Sequence, residues 1–144
     1  MFLIRKCRIE DAEILCKINR EVMGYDYPVE ETAEKIKQLV NLDENGIFVA
    51  EDENQIAGYI HLNSYDTLYF GHMKNILCLA VLPEFRRRGV ATVLLEAGEK
   101  WAKEHGAIGI RLDSGAERLP AHACYEKAGY EQKKMHKYFR KMFY

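Results

Sequence analysis

No two of the four cysteines, Cys7, Cys16, Cys78 and Cys124, stand in a C-x-x-C pair. The spacing that a zinc site or a redox dithiol requires is therefore missing, no metal is expected, and reduced thiols fit best. Charge of one sign is also in short supply, with 21 Lys and Arg against 22 Asp and Glu and a net charge of −1. That balance excludes the broad basic footprint of a nucleic-acid-binding protein. No apolar run approaches the ~18 residues of a membrane span. The opening MFLIRKCRIEDAE turns charged too early for a secretory signal. A cytoplasmic protein with no nucleic-acid and no membrane partner is expected. There is no repeat, no low-complexity tract and no linker, and 144 residues suit one domain spanning 1–144.

What is present reads as alternating strands and helices. A strand over 2–7 precedes a helix over 11–23, where Ile14, Ile18 and Val22 recur at helical spacing and Gly24 ends the run. A second helix covers 29–41 with Val29, Ala33, Ile36 and Val40 on one face. Strands at 47–51 and 56–62 flank the polar turn Asp52-Glu53-Asn54, and the aromatic stretch NSYDTLYFGH, 63–72, reads as irregular. The run ILCLAVL, 76–82, suggests a strand buried on both faces, closed by Pro83. A helix over 89–105 turns Val90, Val93, Leu94, Ala97 and Trp101 inward. A strand at 108–113, a helix at 117–128 and two last strands at 130–135 and 137–143 complete the order β-α-α-β-β-β-α-β-α-β-β. This is an α/β layer structure around a mixed sheet of six or seven strands with four helices.

The stretch EFRRRGVATVLL, 84–95, sets three arginines where a helix begins. A helix N-terminus already carries partial positive charge, so cations there make sense when a strong anion lies between them and the helix. Gly89 brings bare backbone close to such an anion, small Ala91 keeps the first turn near it, and Arg86, Arg87 and Arg88 flank it. A pyrophosphate on a nucleotide-like cofactor is the anion inferred; the plainer alternative is a solvated basic loop.

Arg86-x-x-Gly89-x-Ala91 behind an apolar strand resembles the acetyl-CoA motif of the GNAT N-acetyltransferase superfamily. HACYEKAGYE, 122–131, is similar to the same family's late helix with its tyrosine and glycine-aromatic turn. The resemblance covers essentially the whole chain and implies a GNAT fold as a single N-acetyltransferase domain, an acetyl-CoA cosubstrate and a small-molecule amine acceptor. It implies that the main chain of Leu79, Ala80 and Val81 pairs with the pantetheine arm. Backbone groups of Arg87, Arg88, Gly89, Val90, Ala91 and Thr92 would hold the pyrophosphate. Tyr125 matches the tyrosine that protonates the departing thiolate, and Lys127 is placed near the outer phosphates or in solvent. Where many members have asparagine, seven residues before the tyrosine, this chain has Arg118; with Ala121 and His122 the variant resembles a small-amine branch that includes aminoalkylphosphonate and aminoglycoside acetyltransferases.

The reaction needs a neutral amine, and free alkyl amines titrate near ~10.4. Family members often supply a glutamate from the strand before Leu79, yet here no carboxylate lies between Asp66 and Glu84. His72 is the first candidate for the base, ordered water the alternative, and Asp66 a second base or a holder of the substrate ammonium. Cys78 sits in an apolar wall that raises a thiol pKa, which argues against a covalent route. Tyr25, Tyr27, Tyr65 and Tyr69 lie in loops that border the acceptor cleft of this fold, and aromatic walls suit a cation. A protein or peptide amine as acceptor, or an acyl-CoA-binding module without turnover, are the competing readings. The apolar residues Tyr138, Phe139, Met142 and Phe143 offer an edge strand for a homodimer.

Overall fold

Glu53 and Asn54 both adopt left-handed backbone, φ 50° and 65°. Two successive left-handed residues make a turn whose twist matches that of antiparallel strands. The turn joins strand β2, Asn45–Asp52, to strand β3, Gln55–Tyr65, with Asp52 opposite Gln55. From this hairpin the sheet grows outward on both sides. Strand β1, Leu3–Lys6, pairs antiparallel with β2, and strand β4, Met73–Val81, pairs antiparallel with β3. Strand β5, Ile110–Leu112, joins β4 in parallel and completes a five-stranded sheet in the order β1-β2-β3-β4-β5. The computed structural model describes residues 1–144. The chain falls into two units, Met1–Asp113 and Ser114–Tyr144.

In the first unit the sheet is covered on both faces. Helix α1, Ala12–Ile18, and helix α2, Val29–Leu39, bury Leu15, Ile18 and Ile36 against Ile47, Val49, Tyr59, Ala80 and Leu82. The helix expected over 11–23 is in fact three pieces: a 3-10 turn at Ile9–Asp11, α1, and a π-helical turn at Asn19–Met23 closed by Gly24 at φ 77°. Helix α3, Val90–Glu104, lies on the opposite face, where Gly98 packs onto Ile60 and Leu62 and Trp101 packs onto Gly46. The entry of the chain is fixed by a bidentate pair. Arg5 donates to both carboxylate oxygens of Asp11 at 2.9 Å, and the Arg8 N–H donates to the same group at 2.8 Å. Burial alone would raise the Asp11 pKa, but the Arg5 hydrogen bonds outweigh it and hold the carboxyl below its ordinary value.

The second unit holds helix α4, Leu119–Lys127. The strands expected at 130–135 and 137–143 do not form, so the sheet has five strands rather than six or seven. The physical reason lies in the connection. A tight hairpin needs two turn residues of the Asn, Asp or Gly kind, and only His136 separates the two segments. Met135, Tyr138, Phe139, Met142 and Phe143 are all exposed. Elsewhere the strands are longer than the sequence suggests: β3 continues to Tyr65 and β4 begins at Met73, while β5 is shorter than 108–113.

An added Cβ at Gly46 would stand 2.7 Å from two ring atoms of Trp101. A rigid indole cannot yield as a flexible side chain does, so Gly46→Ala is expected to destabilise by roughly 1–3 kcal/mol. Chemical denaturation of wild type and variant measures it, with an unchanged midpoint as the contrary result.

Candidate active site

β4 is paired unequally along its two edges. On one side it follows β3 from Gly58↔Val81 down to Tyr65↔Met73. On the other, β5 accompanies it for only three pairs, Lys74↔Ile110, Asn75↔Arg111 and Ile76↔Leu112. Beyond Ile76 the outer edge of β4 has no strand partner, so alternate N–H and C=O groups between Leu77 and Val81 are presented outward. The register slips where the pairing leaves Leu62↔Ile76 and reaches His61↔Cys78, making Leu77 the unpaired residue of a bulge. Leu79, Ala80 and Val81 occupy that open edge.

The edge runs directly into a turn rich in free donors. After the 3-10 turn Pro83–Phe85, Arg86 is extended, Arg87 is left-handed at φ 63°, and Gly89 is left-handed at φ 79° before α3 begins. The N–H groups from Arg87 to Thr92 donate to no backbone carbonyl; the first to do so is that of Val93, to Gly89 at 3.1 Å. Such a concave run of donors at the start of a long helix is an anion nest. A Cβ on Gly89 would meet nothing within 4 Å, so glycine is required there by the positive φ and not by crowding. The three arginines divide. Arg88 lies over the rings of Phe2 and Phe85, 5.1 and 5.5 Å from their centroids, and reaches Asp52 at 3.5 Å. Arg86 and Arg87 are exposed beside the nest.

Next to the open edge lies a polar floor. Side chains alternate along β3: Ile60 and Leu62 face α3, while Tyr59, His61, Asn63 and Tyr65 share the opposite face, toward α1 and α2. His61 Nε2 is 2.9 Å from Asn45 Oδ1, and the Tyr59 hydroxyl donates to Asn19 Oδ1 at 2.5 Å. Farther along, Asn75 donates to Asn63 at 3.1 Å and Arg111 to Asn75 at 2.8 Å, with the guanidinium 4.7 Å over the Tyr65 ring. A cavity of about 260 Å³ opens between α1, α2 and this floor, lined by Asn19, Tyr27, Thr32, Lys35, Tyr59 and His61 among others. Burial lowers the His61 pKa to about 4, so its ring is neutral at physiological pH.

Of the residues expected at an acceptor cleft, Tyr27 lines this cavity with Lys35 above its ring at 5.4 Å, and Tyr65 belongs to β3 rather than to a loop. Tyr25 and Tyr69 are exposed. His72 Nδ1 lies 2.6 Å from Asp66 Oδ1 at the start of β4. His72 and Leu79 are seven positions apart, roughly 23 Å of extended strand at ~3.3 Å per residue. In the second unit Tyr125 is partly buried on α4, with its ring 6.1 Å from Tyr130 and its carbonyl accepting the Tyr130 N–H at 2.9 Å. His122 Nε2 donates to the Gly115 carbonyl at 2.8 Å, a local structural bond, and Lys127 ends the helix exposed. Sequence reasoning missed His61, Asn19 and Lys35. The period-two run Tyr59-x-His61-x-Asn63-x-Tyr65 is the signal that marks the polar face.

Residues 12–130 match the description Acetyltransferase (GNAT) family. The chain is 34% identical over 145 residues to an N-alpha-acetyltransferase of Saccharolobus solfataricus, covering 93% of this chain and 83% of that one. It is 31% identical to an aminoglycoside N(6')-acetyltransferase type 1 of Acinetobacter genomosp. 13, over 58% of this chain and 55% of that protein. The solved aminoglycoside acetyltransferase AAC(6')-Iy, in complex with a bisubstrate analogue of CoA and acetylneamine, superposes with a TM-score of 0.86 at 19% identity. That match covers 99% of both chains and is a likeness of fold. This chain belongs to the GNAT acetyltransferase family.

Because His61 is held neutral in the fold, the unfolded chain binds a proton that the native one refuses between pH ~6.5 and about 4. Stability is therefore expected to fall as pH falls through that window, by on the order of 1–3 kcal/mol from this group. In His61→Asn the loss between pH 6.5 and 4 should be smaller by that amount. Denaturation at both pH values checks it; equal losses in the two proteins would contradict the assignment.

Proposed function

We propose that the protein transfers the acetyl group of acetyl-CoA to a primary amine of a small molecule by direct attack. The observation that carries this reading is the continuity of β4's unpaired edge with the nest at Arg87–Thr92. An extended amide-bearing arm needs outward peptide groups, and a pyrophosphate needs unspent N–H donors, in that order along one path. Leu79, Ala80 and Val81 supply the first and the start of α3 the second, with Arg86 and Arg87 adding positive charge. Arg88 supports the loop through Phe2, Phe85 and Asp52.

At the bulge, an N–H of β4 polarises the thioester carbonyl as the amine nitrogen adds to it. The C–N bond forms, the C–S bond breaks, and the nitrogen's proton passes to water; the role the family resemblance implies for Tyr125 is to give its phenolic proton to the departing sulfur and to regain one from solvent. The distance along β4 sets His72 and Asp66 at the far end of the floor, where the pair suits the remote part of an acceptor, including a second ammonium.

A peptide α-amine is the second reading, favoured by the S. solfataricus relative, whose match runs over nearly the whole chain. Mass spectrometry of products from acetyl-CoA with amino sugars, diamines and peptides bearing free N-termini separates the two. Acetylation of peptides alone would overturn the small-molecule reading.

CoA is expected to raise the melting temperature, since a ligand confined to the native state stabilises by ~2.7 kcal/mol at 100 times its Kd. Gly89→Val should abolish most of that shift. The left-handed backbone costs a branched residue on the order of 1–2 kcal/mol, and relief of that strain redirects the donors. A full shift in the variant would place the phosphates elsewhere.

Tyr125→Phe keeps the ring and removes the donor. It is expected to retain the CoA shift while kcat falls roughly 10–10⁴-fold. Unchanged kcat with lowered stability would make Tyr125 a packing residue.

A further inference from the structure

The amine must lose a proton, yet no carboxylate lines the cavity or lies on β4. The sheet register supplies a different group. His61 stands opposite Cys78 across the β3–β4 ladder, and Ile60 stands opposite Leu79. Facing Cα atoms in such a ladder are about 5 Å apart. His61 is therefore one strand inward from the bulge, on the face that opens to the cavity.

The tautomer of His61 follows from its partner. Asn45 Oδ1 can only accept, so Nε2 carries the hydrogen and Nδ1 keeps its lone pair. No protein donor engages Nδ1, and Nδ1 is not among the sealed, partnerless atoms of the fold. The charged and titratable groups around this ring come from three directions. Lys35 and Tyr27 line the cavity from the α2 side, with Glu31 beside Tyr27. Tyr59 neighbours His61 on β3 with its hydroxyl on Asn19, and Cys78 faces it from β4. The one cation in the lining is Lys35, which opposes a second positive charge.

We propose that His61 is a positioning residue for the acceptor: its Nδ1 accepts a hydrogen bond from the attacking amine, directly or through one water. The cavity thereby admits the amine in its neutral form. This rests on the N-acetyltransferase reading above. It accounts for the missing strand carboxylate, because a site that takes up the free amine needs no strong base beside it. Desolvation and Lys35 both disfavour the ammonium, and a neutral imidazole rewards the N–H of the free base. The ammonium's proton is shed to solvent on entry, and the second N–H proton passes to water after attack, when the nitrogen has become strongly acidic.

Three variants separate this role from packing. His61→Asn keeps an acceptor near the Nδ1 position, His61→Gln keeps a polar atom only near Nε2, and His61→Phe keeps neither. Steady-state kinetics use putrescine, glucosamine or an alanyl peptide, whichever wild type turns over fastest. Gln and Phe are expected to lose roughly 10–100-fold in kcat/KM for the amine, the effect of one hydrogen bond whose partner is left unsatisfied. Asn should stay within about 5-fold of wild type, less than the loss of a typical hydrogen bond. The KM for acetyl-CoA and the CoA melting shift should not change. In all four proteins log kcat/KM should rise with pH along the same limb, set by the amine.

Equal losses in Asn and Phe, wild-type kcat/KM in Phe, or a loss confined to the KM for acetyl-CoA would overturn the proposal. A second arm needs no turnover. In protein with ¹⁵N-labelled histidine and CoA bound, propylamine should move the His61 Nδ1 resonance and leave Nε2 nearly in place; a static Nδ1 overturns it. Absence of any CoA melting shift in wild type would instead sink the acetyltransferase reading itself.

Discussion

The molecule depends on a strand that is given a neighbour for three residues and then left without one. β5 follows β4 from Lys74 to Ile76 and departs. Had it continued, the peptide groups of Leu77 to Val81 would be consumed by the ladder, and the sheet would offer nothing at that edge. Unpaired edges are ordinarily a hazard, because they invite another chain to pair. Here the exposed length is short, interrupted by a bulge and closed at Pro83, which leaves little room for a foreign strand. The direction of the chain into α3 is set separately, by the 3-10 turn Pro83–Phe85 and the left-handed Arg87 and Gly89.

Three consecutive arginines of like charge stand in different surroundings. Arg88 spends its charge on two aromatic faces and the Asp52 carboxylate, tying the nest to β1's neighbourhood and to the β2–β3 hairpin. Arg87 is held left-handed by the turn, a conformation a non-glycine residue adopts at some expense. That conformation stands directly beside the unspent donors at the head of α3.

Much of the fold was legible in the amino-acid order. The hairpin followed from Asp52-Glu53-Asn54, α2 and α3 from their apolar spacing, and the buried strand from ILCLAVL. Local patterning failed where the answer was tertiary. The last two strands looked plausible by content, yet no turn chemistry joins them. Tyr65 looked like a loop residue because its stretch is rich in aromatics, although its alternation with His61 and Asn63 belongs to β3. Reading along the chain from β4 reaches His72, just before the strand begins. His61 comes beside the bulge from the adjacent strand, 16 to 18 positions earlier than Leu77 and Leu79, through its register with Cys78, a proximity that exists only once the ladder is in register.

The lone tryptophan gives the fold an optical consequence. Trp101 is 7% exposed, packed on Gly46, with the Lys74 ammonium 4.7 Å above its ring and His105 4.9 Å to the side. A buried indole flanked by a cation is a chromophore whose emission is sensitive to small displacements of either. Trp101 also lies on the helix whose first turn forms the nest, so a shift of α3 on the sheet is transmitted to the ring as a rigid-body motion. The protein thus carries its one indole fluorophore near the far end of the helix whose first turn holds the unspent N–H donors.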